Sequence, residues 1–220
     1  MNKGMNIEGV IFDLDGTLVH TIEDIAGAAN IMFARHGLPE HDLEYYLNWI
    51  GSGAVKFIER AYGEPISREQ LRSYVNEFKE VYAANLHNKS RVYSGVPEVL
   101  DALVNRGLKI AILSNKPHLL TKEVCEFYLS GWPMDPVFGQ REEVPRKPDP
   151  AAAFEIAEGW EMEPEKILFV GDSENDILTA HAAGMVPLGV TWGYGKLDSH
   201  ALEGMGELID TPAQILDFVS

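Results

Sequence analysis

Short apolar runs alternate with helical stretches through most of the second half of this 220-residue chain. Leu108–Leu113, Ile167–Val170 and Val186–Val190 each have the length and composition of a buried strand. Val10–Phe12, behind Ile7, adds a further run near the start. Helical patterns cover 97–106, closed by Gly107, then 116–129, 150–159, 175–183, ended by Gly184, and 212–219. Val137–Phe138 reads as one short strand inside the otherwise irregular stretch 130–150. Strands that alternate with helices in this way pack as a parallel sheet with both faces covered.

The first run is separated from the others by a different texture. Ile22, Ile25, Ala26, Ala29, Met32 and Phe33 recur at three- and four-residue spacing and form one apolar helical face, which Gly37 and Pro39 end. Further helices are expected at about 41–49, 54–62 and 67–86, the last with a capping pair in Ser67 and Gln70. Residues 20–88 therefore read as all-helical, with no strand. The expected fold class is α/β: a doubly wound, parallel-sheet, Rossmann-like core from 1–19 and 89–220, with 20–88 inserted as a helical unit.

Charge narrows the partners. Thirty-four acidic and 18 basic residues give a formal net charge of −16. Nucleic acids and anionic membranes need a basic face, so neither is expected. No apolar run approaches the ~18 residues of a membrane span. Met1–Asn6 has no apolar leader pattern. Cys125 is the single cysteine, which suits a reducing compartment, so a cytoplasmic monomer or homodimer is expected.

Open parallel sheets bind ligands beyond the carboxyl ends of their strands. Asp13, Leu14, Asp15, Gly16 and Thr17 follow the first run; Ser114, Asn115 and Lys116 follow the second; Gly171, Asp172, Ser173, Glu174, Asn175 and Asp176 follow the third. The irregular stretch adds Arg146, Lys147, Pro148, Asp149 and Pro150. Several carboxylates without a histidine cluster favour a hard cation with oxygen ligands, Mg²⁺ above all. Ser114 offers a hydroxyl, Asn115 an amide and Lys147 a charge to phosphate oxygens. A carboxylate nucleophile would split phosphate-ester hydrolysis into two easier steps, and a second carboxyl would carry the proton. In the inserted part, Gly51, Ser52 and Gly53 precede a helix whose free N–H groups suit an anion, and Lys56 lies one turn further on.

Asp13-Leu14-Asp15-Gly16-Thr17, Ser114-Asn115, Lys147 and Gly171-Asp172-Ser173 with Asp176 resemble, in order, the four motifs of the haloacid dehalogenase superfamily phosphatases. The inserted helices are similar to that family's helical cap. The resemblance implies Asp13 as nucleophile and metal ligand, and Asp15 as general acid/base with its carbonyl on the metal. It implies Asp172 as the third protein ligand to Mg²⁺, Asp176 in support behind it, and Ser114 and Lys147 on the transferring phosphoryl group. Thr17, Asn115, Gly51, Ser52 and Lys56 are the expected substrate contacts, Lys56 for a substrate carboxylate.

Tyr93-Ser94-Gly95-Val96, Leu113–Pro117, Arg146–Pro150 and Val190–Gly195 resemble the phosphoglycolate phosphatases within that superfamily. A small-molecule phosphate ester, 2-phosphoglycolate first, is then the expected substrate. The resemblance departs at His20-Thr21, where that group carries Asp-Ser. Pyrophosphatases and sugar-phosphate phosphatases or mutases of the same superfamily are the enzymatic alternatives. A phospho-acceptor receiver domain without turnover is the alternative of another class. No dinucleotide or P-loop glycine pattern is present.

Overall fold

Strand β1 (Gly9–Phe12) is buried at every residue, and its side chains alternate between two separate cores. Val10 and Phe12 face one core and Ile11 the other, the period-2 geometry of an extended chain. The computed structural model describes residues 6–197 and 205–219; Met1–Met5, part of the stretch without a leader pattern, lie outside them.

The same division runs through the neighbouring strands. Ile110 and Ile112 of β4 (Lys109–Pro117) and Leu168 and Val170 of β6 (Ile167–Gly171) share the first core. Ala111, Leu113, Ile167 and Phe169 share the second. Helices α5 (Val96–Asn105) and α6 (His118–Tyr128) cover the first face, and α7 (Ala151–Trp160) and α8 (Glu174–Ala183) the second. With β5 (Met134–Gln140), β7 (Val186–Val190) and β8 (Glu207–Ile209), the six strands take the order β5-β4-β1-β6-β7-β8, all parallel. The chain runs outward from β1 through β4 to β5, then returns to the other side at β6. The reversal point lies at the carboxyl end of β1.

The inserted stretch forms α1 (Ile22–Arg35), α2 (Leu43–Trp49), α3 (Ala54–Tyr62) and α4 (Arg68–Ala83). Ser67 Oγ accepts the N–H of Gln70 at 3.2 Å and starts α4, while Gly63 closes α3 at φ 75°. The rings of Tyr46, Phe57, Phe78 and Tyr82 pack in series, with centroids 5.6, 5.3 and 5.8 Å apart, and join α2, α3 and α4.

Several details differ from the sequence reading. His20 belongs to a strand: β2 (Val19–His20) pairs antiparallel with β3 (Arg91–Val92) across the two ends of the insertion. Two residues of pairing leave no period to read. β4 runs on to Pro117, so Ser114–Lys116 lie on the strand and α6 starts at His118. β5 is seven residues long, its pattern hidden by Pro136 and Gly139, which an edge strand with irregular register accommodates. β8 was not expected, and the terminal element is a 3₁₀ helix, Pro212–Asp217.

Asp24 closes the insertion. Its carboxylate is buried and accepts the N–H of Lys89 at 3.0 Å, the N–H of Ser90 at 2.8 Å and the Ser90 hydroxyl at 2.7 Å. Truncation leaves these donors without partners, which costs about 1–3 kcal/mol for each group that stays buried. Asp24→Ala is therefore expected to lower stability by roughly 2–4 kcal/mol in urea denaturation. A change below roughly 0.5 kcal/mol would show that the clasp contributes nothing.

Candidate active site

Where the strand order reverses, Asp13 follows β1, Ser114–Lys116 end β4 and Asp172 follows β6, and all line one cavity. The cavity measures ≈ 120 Å³. Asp13, Asp15, Ser114, Asn115, Lys147 and Asp172 form its sheet-side wall. Ile25, Leu47, Ile50, Ala54, Phe57 and Phe78 of the inserted helices form the opposite wall.

Lys147 is the charged centre of the sheet side. Its buried ammonium donates to Asp13 Oδ1 at 2.7 Å, Asp176 Oδ1 at 2.5 Å and the Leu113 carbonyl at 2.8 Å. Burial works against this cation, but Asp13 and Asp176 outweigh it and hold its pKa above the ordinary lysine value. Burial also raises Asp13 well above the carboxylate range, with Lys147 opposing and Asp176 and Asp172 adding to the rise. Asp172 is pushed up to about 6 by burial and by Asp176, although the N–H groups of Tyr194 (2.6 Å) and Gly195 (3.0 Å) donate to its Oδ2.

Asp176 Oδ2 accepts the Ser173 N–H at 3.0 Å and its hydroxyl at 2.6 Å, so both of its oxygens are engaged. Among the described residues no hydrogen bond reaches Asp13 Oδ2 or Asp172 Oδ1. Oxygens of Asp13, Asp172 and Asp176 lie within 4.8 Å of one another, all three buried. This excess of buried negative charge over the single ammonium, with oxygen donors alone, fits a divalent cation. Gly16 has φ 94°, and a Cβ there would collide with the Asp172 carboxylate. The site therefore needs glycine in the turn that brings Asp15 round.

Asp15 is held from two sides. Thr21 donates its hydroxyl to Asp15 Oδ1 at 2.6 Å, and Lys116 donates to Oδ1 and Oδ2 at 3.0 and 3.2 Å. Lys116 also donates to the Tyr82 hydroxyl at 2.6 Å. The Tyr194 hydroxyl accepts the N–H groups of Thr21 and Ile22 at the start of α1, while the Tyr194 N–H holds Asp172. Lys116 was expected at the ligand-binding edge but without a role, and Tyr82, Thr21 and Tyr194 were not among the expected site residues. These three arrive through folding of the insertion and of the segment after β7.

Not every expected contact reaches the cavity. Asn115 does, but both protons of its amide are committed, to the carbonyls of Gly51 and Lys147 at 3.0 Å each, and its Oδ1 accepts the Lys147 N–H at 2.9 Å. It fastens the insertion and the Lys147 segment to β4. Gly51 lines the cavity, whereas Ser52 does not: its carbonyl accepts from Arg146 and its hydroxyl from Arg60. Lys56 is exposed and pairs with Glu59 at 2.8 Å. Ala54 and Phe57, three apart, take the cavity face of α3, and that turns position 56 to solvent. Thr17 is buried against Leu18, Val96 and Trp192. His20 sits edge-on between Tyr93 and Tyr194, with centroids 5.6 Å from each, off the cavity wall.

A parallel α/β core with acidic strand ends, a buried lysine and a carboxylate set that fits a cation suits a phosphate-handling hydrolase. The chain belongs to the haloacid dehalogenase-like hydrolase family, whose sequence model matches residues 7–184. A phosphoglycolate phosphatase from Haemophilus influenzae is 37% identical over 205 residues, covering 88% of this chain and 89% of that protein. One from Pasteurella multocida is 37% identical over 212 residues, covering 93% and 95%. The crystal structure of a predicted phosphoglycolate phosphatase from Haemophilus somnus superposes with a TM-score of 0.86 at 29% identity, covering 96% of this chain and 97% of that one. Among the described residues no helix is long and apolar enough to cross a membrane.

The raised Asp172 has a consequence for stability. The unfolded carboxylate is ionised above about pH 4, while the folded one keeps its proton up to about pH 6. The folded state thus binds more protons in that window, and stability falls as pH rises through about 6. The metal-free protein is expected to melt higher at pH 5 than at pH 7.5, and a divalent cation should raise Tm more at pH 7.5. Asp172→Asn should reduce both responses, Asp13 supplying the remainder. Equal pH slopes in wild type and Asp172→Asn would contradict the assignment.

Proposed function

We propose that the protein hydrolyses 2-phosphoglycolate to glycolate and phosphate through an aspartyl-phosphate on Asp13. The observation that carries this reading is the Lys147 ammonium bonded to Asp13 at 2.7 Å beneath a small cavity between the sheet and the inserted helices. That contact orients one carboxylate oxygen of a cavity-lining residue and leaves the other without a hydrogen bond among the described residues. Asp13 attacks phosphorus, and the bond from phosphorus to the glycolate oxygen breaks. Asp15 gives its proton to the departing oxygen. It then takes a proton from the water that attacks the aspartyl-phosphate, which frees phosphate and restores Asp13.

Ser114 holds the transferring phosphoryl group, and Lys147, whose protons stay with Asp13, Leu113 and Asp176, acts on it through its charge. Asp176 holds Lys147, and Ser173 holds Asp176 in turn. Asp13, Asp172 and the Asp15 carbonyl would hold Mg²⁺, which when bound supplies positive charge to the phosphate oxygens. The helices of 20–88 act as a cap over the core of 1–19 and 89–220, and their apolar wall excludes water from the phosphoryl group. The substrate follows from the names of the relatives and from the size of the cavity, which suits a short leaving group. A cytoplasmic site of action belongs to the same reading.

Phosphate release from 2-phosphoglycolate, pyrophosphate and a hexose phosphate tests it. The expected result is highest kcat/KM for 2-phosphoglycolate, loss of activity with chelator and recovery with Mg²⁺. Asp13→Asn should lower kcat by at least ~10³-fold. Preference for pyrophosphate or the hexose phosphate would move the substrate to one of the alternative enzymes.

A further inference from the structure

A glycolate leaving group carries a carboxylate, and Lys56 does not reach the cavity to meet it. Only two cationic side chains line that cavity among the described residues, Lys147 and Lys116. Lys147 has spent its three protons on Asp13, Leu113 and Asp176. Lys116 is different. Its contacts to the two oxygens of Asp15 lie in one direction and share one proton, and Tyr82 takes a second. The third proton has no partner among the described residues. Lys116 is 6% exposed, so its remaining opening is the cavity itself.

Tyr82 adds a second donor. Its hydroxyl oxygen accepts from Lys116, which leaves its own proton to be donated. Burial, with Asp15 and Asp24 adding, raises the phenol well above its usual pKa and keeps that proton in place. The rest of the insertion's side-chain lining, Ile25, Leu47, Ile50, Ala54, Phe57 and Phe78, is apolar. A buried anion without a partner is costly, and Lys116 with Tyr82 brings an uncommitted ammonium proton and an uncommitted hydroxyl proton to one part of the cavity, which favours that place for a leaving-group carboxylate.

We propose that Lys116, with the Tyr82 hydroxyl, is the specificity-determining pair of this site. It selects phosphate esters whose leaving group carries a carboxylate. The ammonium also stays in contact with Asp15, so the carboxylate end of the substrate is set beside the group that protonates the leaving oxygen. The apolar wall limits the leaving group to a short chain and disfavours a second phosphate. This inference rests on the phosphoglycolate reading, and it assigns the carboxylate contact to β4 and α4 instead of α3.

The test is the ratio of kcat/KM for 2-phosphoglycolate to that for 2-hydroxyethyl phosphate, in which an alcohol replaces the carboxylate. Wild type should favour phosphoglycolate by about 30-fold or more. Lys116→Met should reduce that ratio at least 10-fold, whatever it does to both rates through Asp15, and Lys116→Arg should restore part of it. Tyr82→Phe keeps the ring and should lower the ratio several-fold, chiefly through a higher KM for phosphoglycolate.

If Lys116→Met lowers both esters equally, Lys116 serves Asp15 or the phosphoryl group and the inference is overturned, while phosphoglycolate hydrolysis stands. Should Lys116→Met fail to fold, an unchanged ratio in Tyr82→Phe overturns it equally. A wild type that hydrolyses pyrophosphate but neither ester overturns the phosphoglycolate reading and the inference together.

Discussion

The buried ammonium of Lys147 is the contact on which the rest of the site depends. It joins β1 through Asp13, β4 through the Leu113 carbonyl and α8 through Asp176. A lysine this deep is tolerable only because each of its protons has an acceptor. The converse holds for the acids, which would repel one another at these distances without it. A chain of net charge −16 repels phosphate in bulk solution. At the sheet edge a lysine and the cation that the carboxylates can hold reverse that field within a few ångströms.

The insertion is coupled to this centre by polar contacts as well as by packing. Asn115 holds Gly51 of the α2–α3 loop, Thr21 at the start of α1 holds Asp15, and Tyr194 bonds to both α1 and Asp172. A shift of the helices relative to the sheet therefore has to break contacts to Asp15 and to the residue that holds Asp172. The apolar wall over the cavity and the orientation of Asp15 change together, which suits chemistry that must exclude water only while phosphorus is in transit.

Much of this fold is legible in the chain because its strands are buried on both faces. Val10–Phe12, Ile167–Val170 and Val186–Val190 stand out as apolar runs for that reason, and α1 stands out by its 3.6-residue period. The parts that were not legible lack such signals. β8 and the β2–β3 pair are two or three residues long, and β5 carries Pro136 and Gly139 on a sheet edge. Acids and a lysine that follow strands are readable as a converging set, since strand ends share one edge. Residues on helices are harder: Lys56 and Phe57 are neighbours in sequence, yet the helical turn sends one to solvent and the other to the cavity. Tyr82 and Tyr194 reach the site only through tertiary packing, which no local pattern reports.

The central claim is that a covalent phosphoryl group passes through Asp13. Its most direct test is acid quench of enzyme mixed with excess 2-phosphoglycolate in Mg²⁺, followed by peptide mass spectrometry. The account predicts one added phosphoryl group on the peptide containing Asp13, lost on treatment with hydroxylamine and missing in Asp13→Asn. Steady turnover by Asp13→Asn at the wild-type rate, or a phosphoryl group on a different residue, would contradict it.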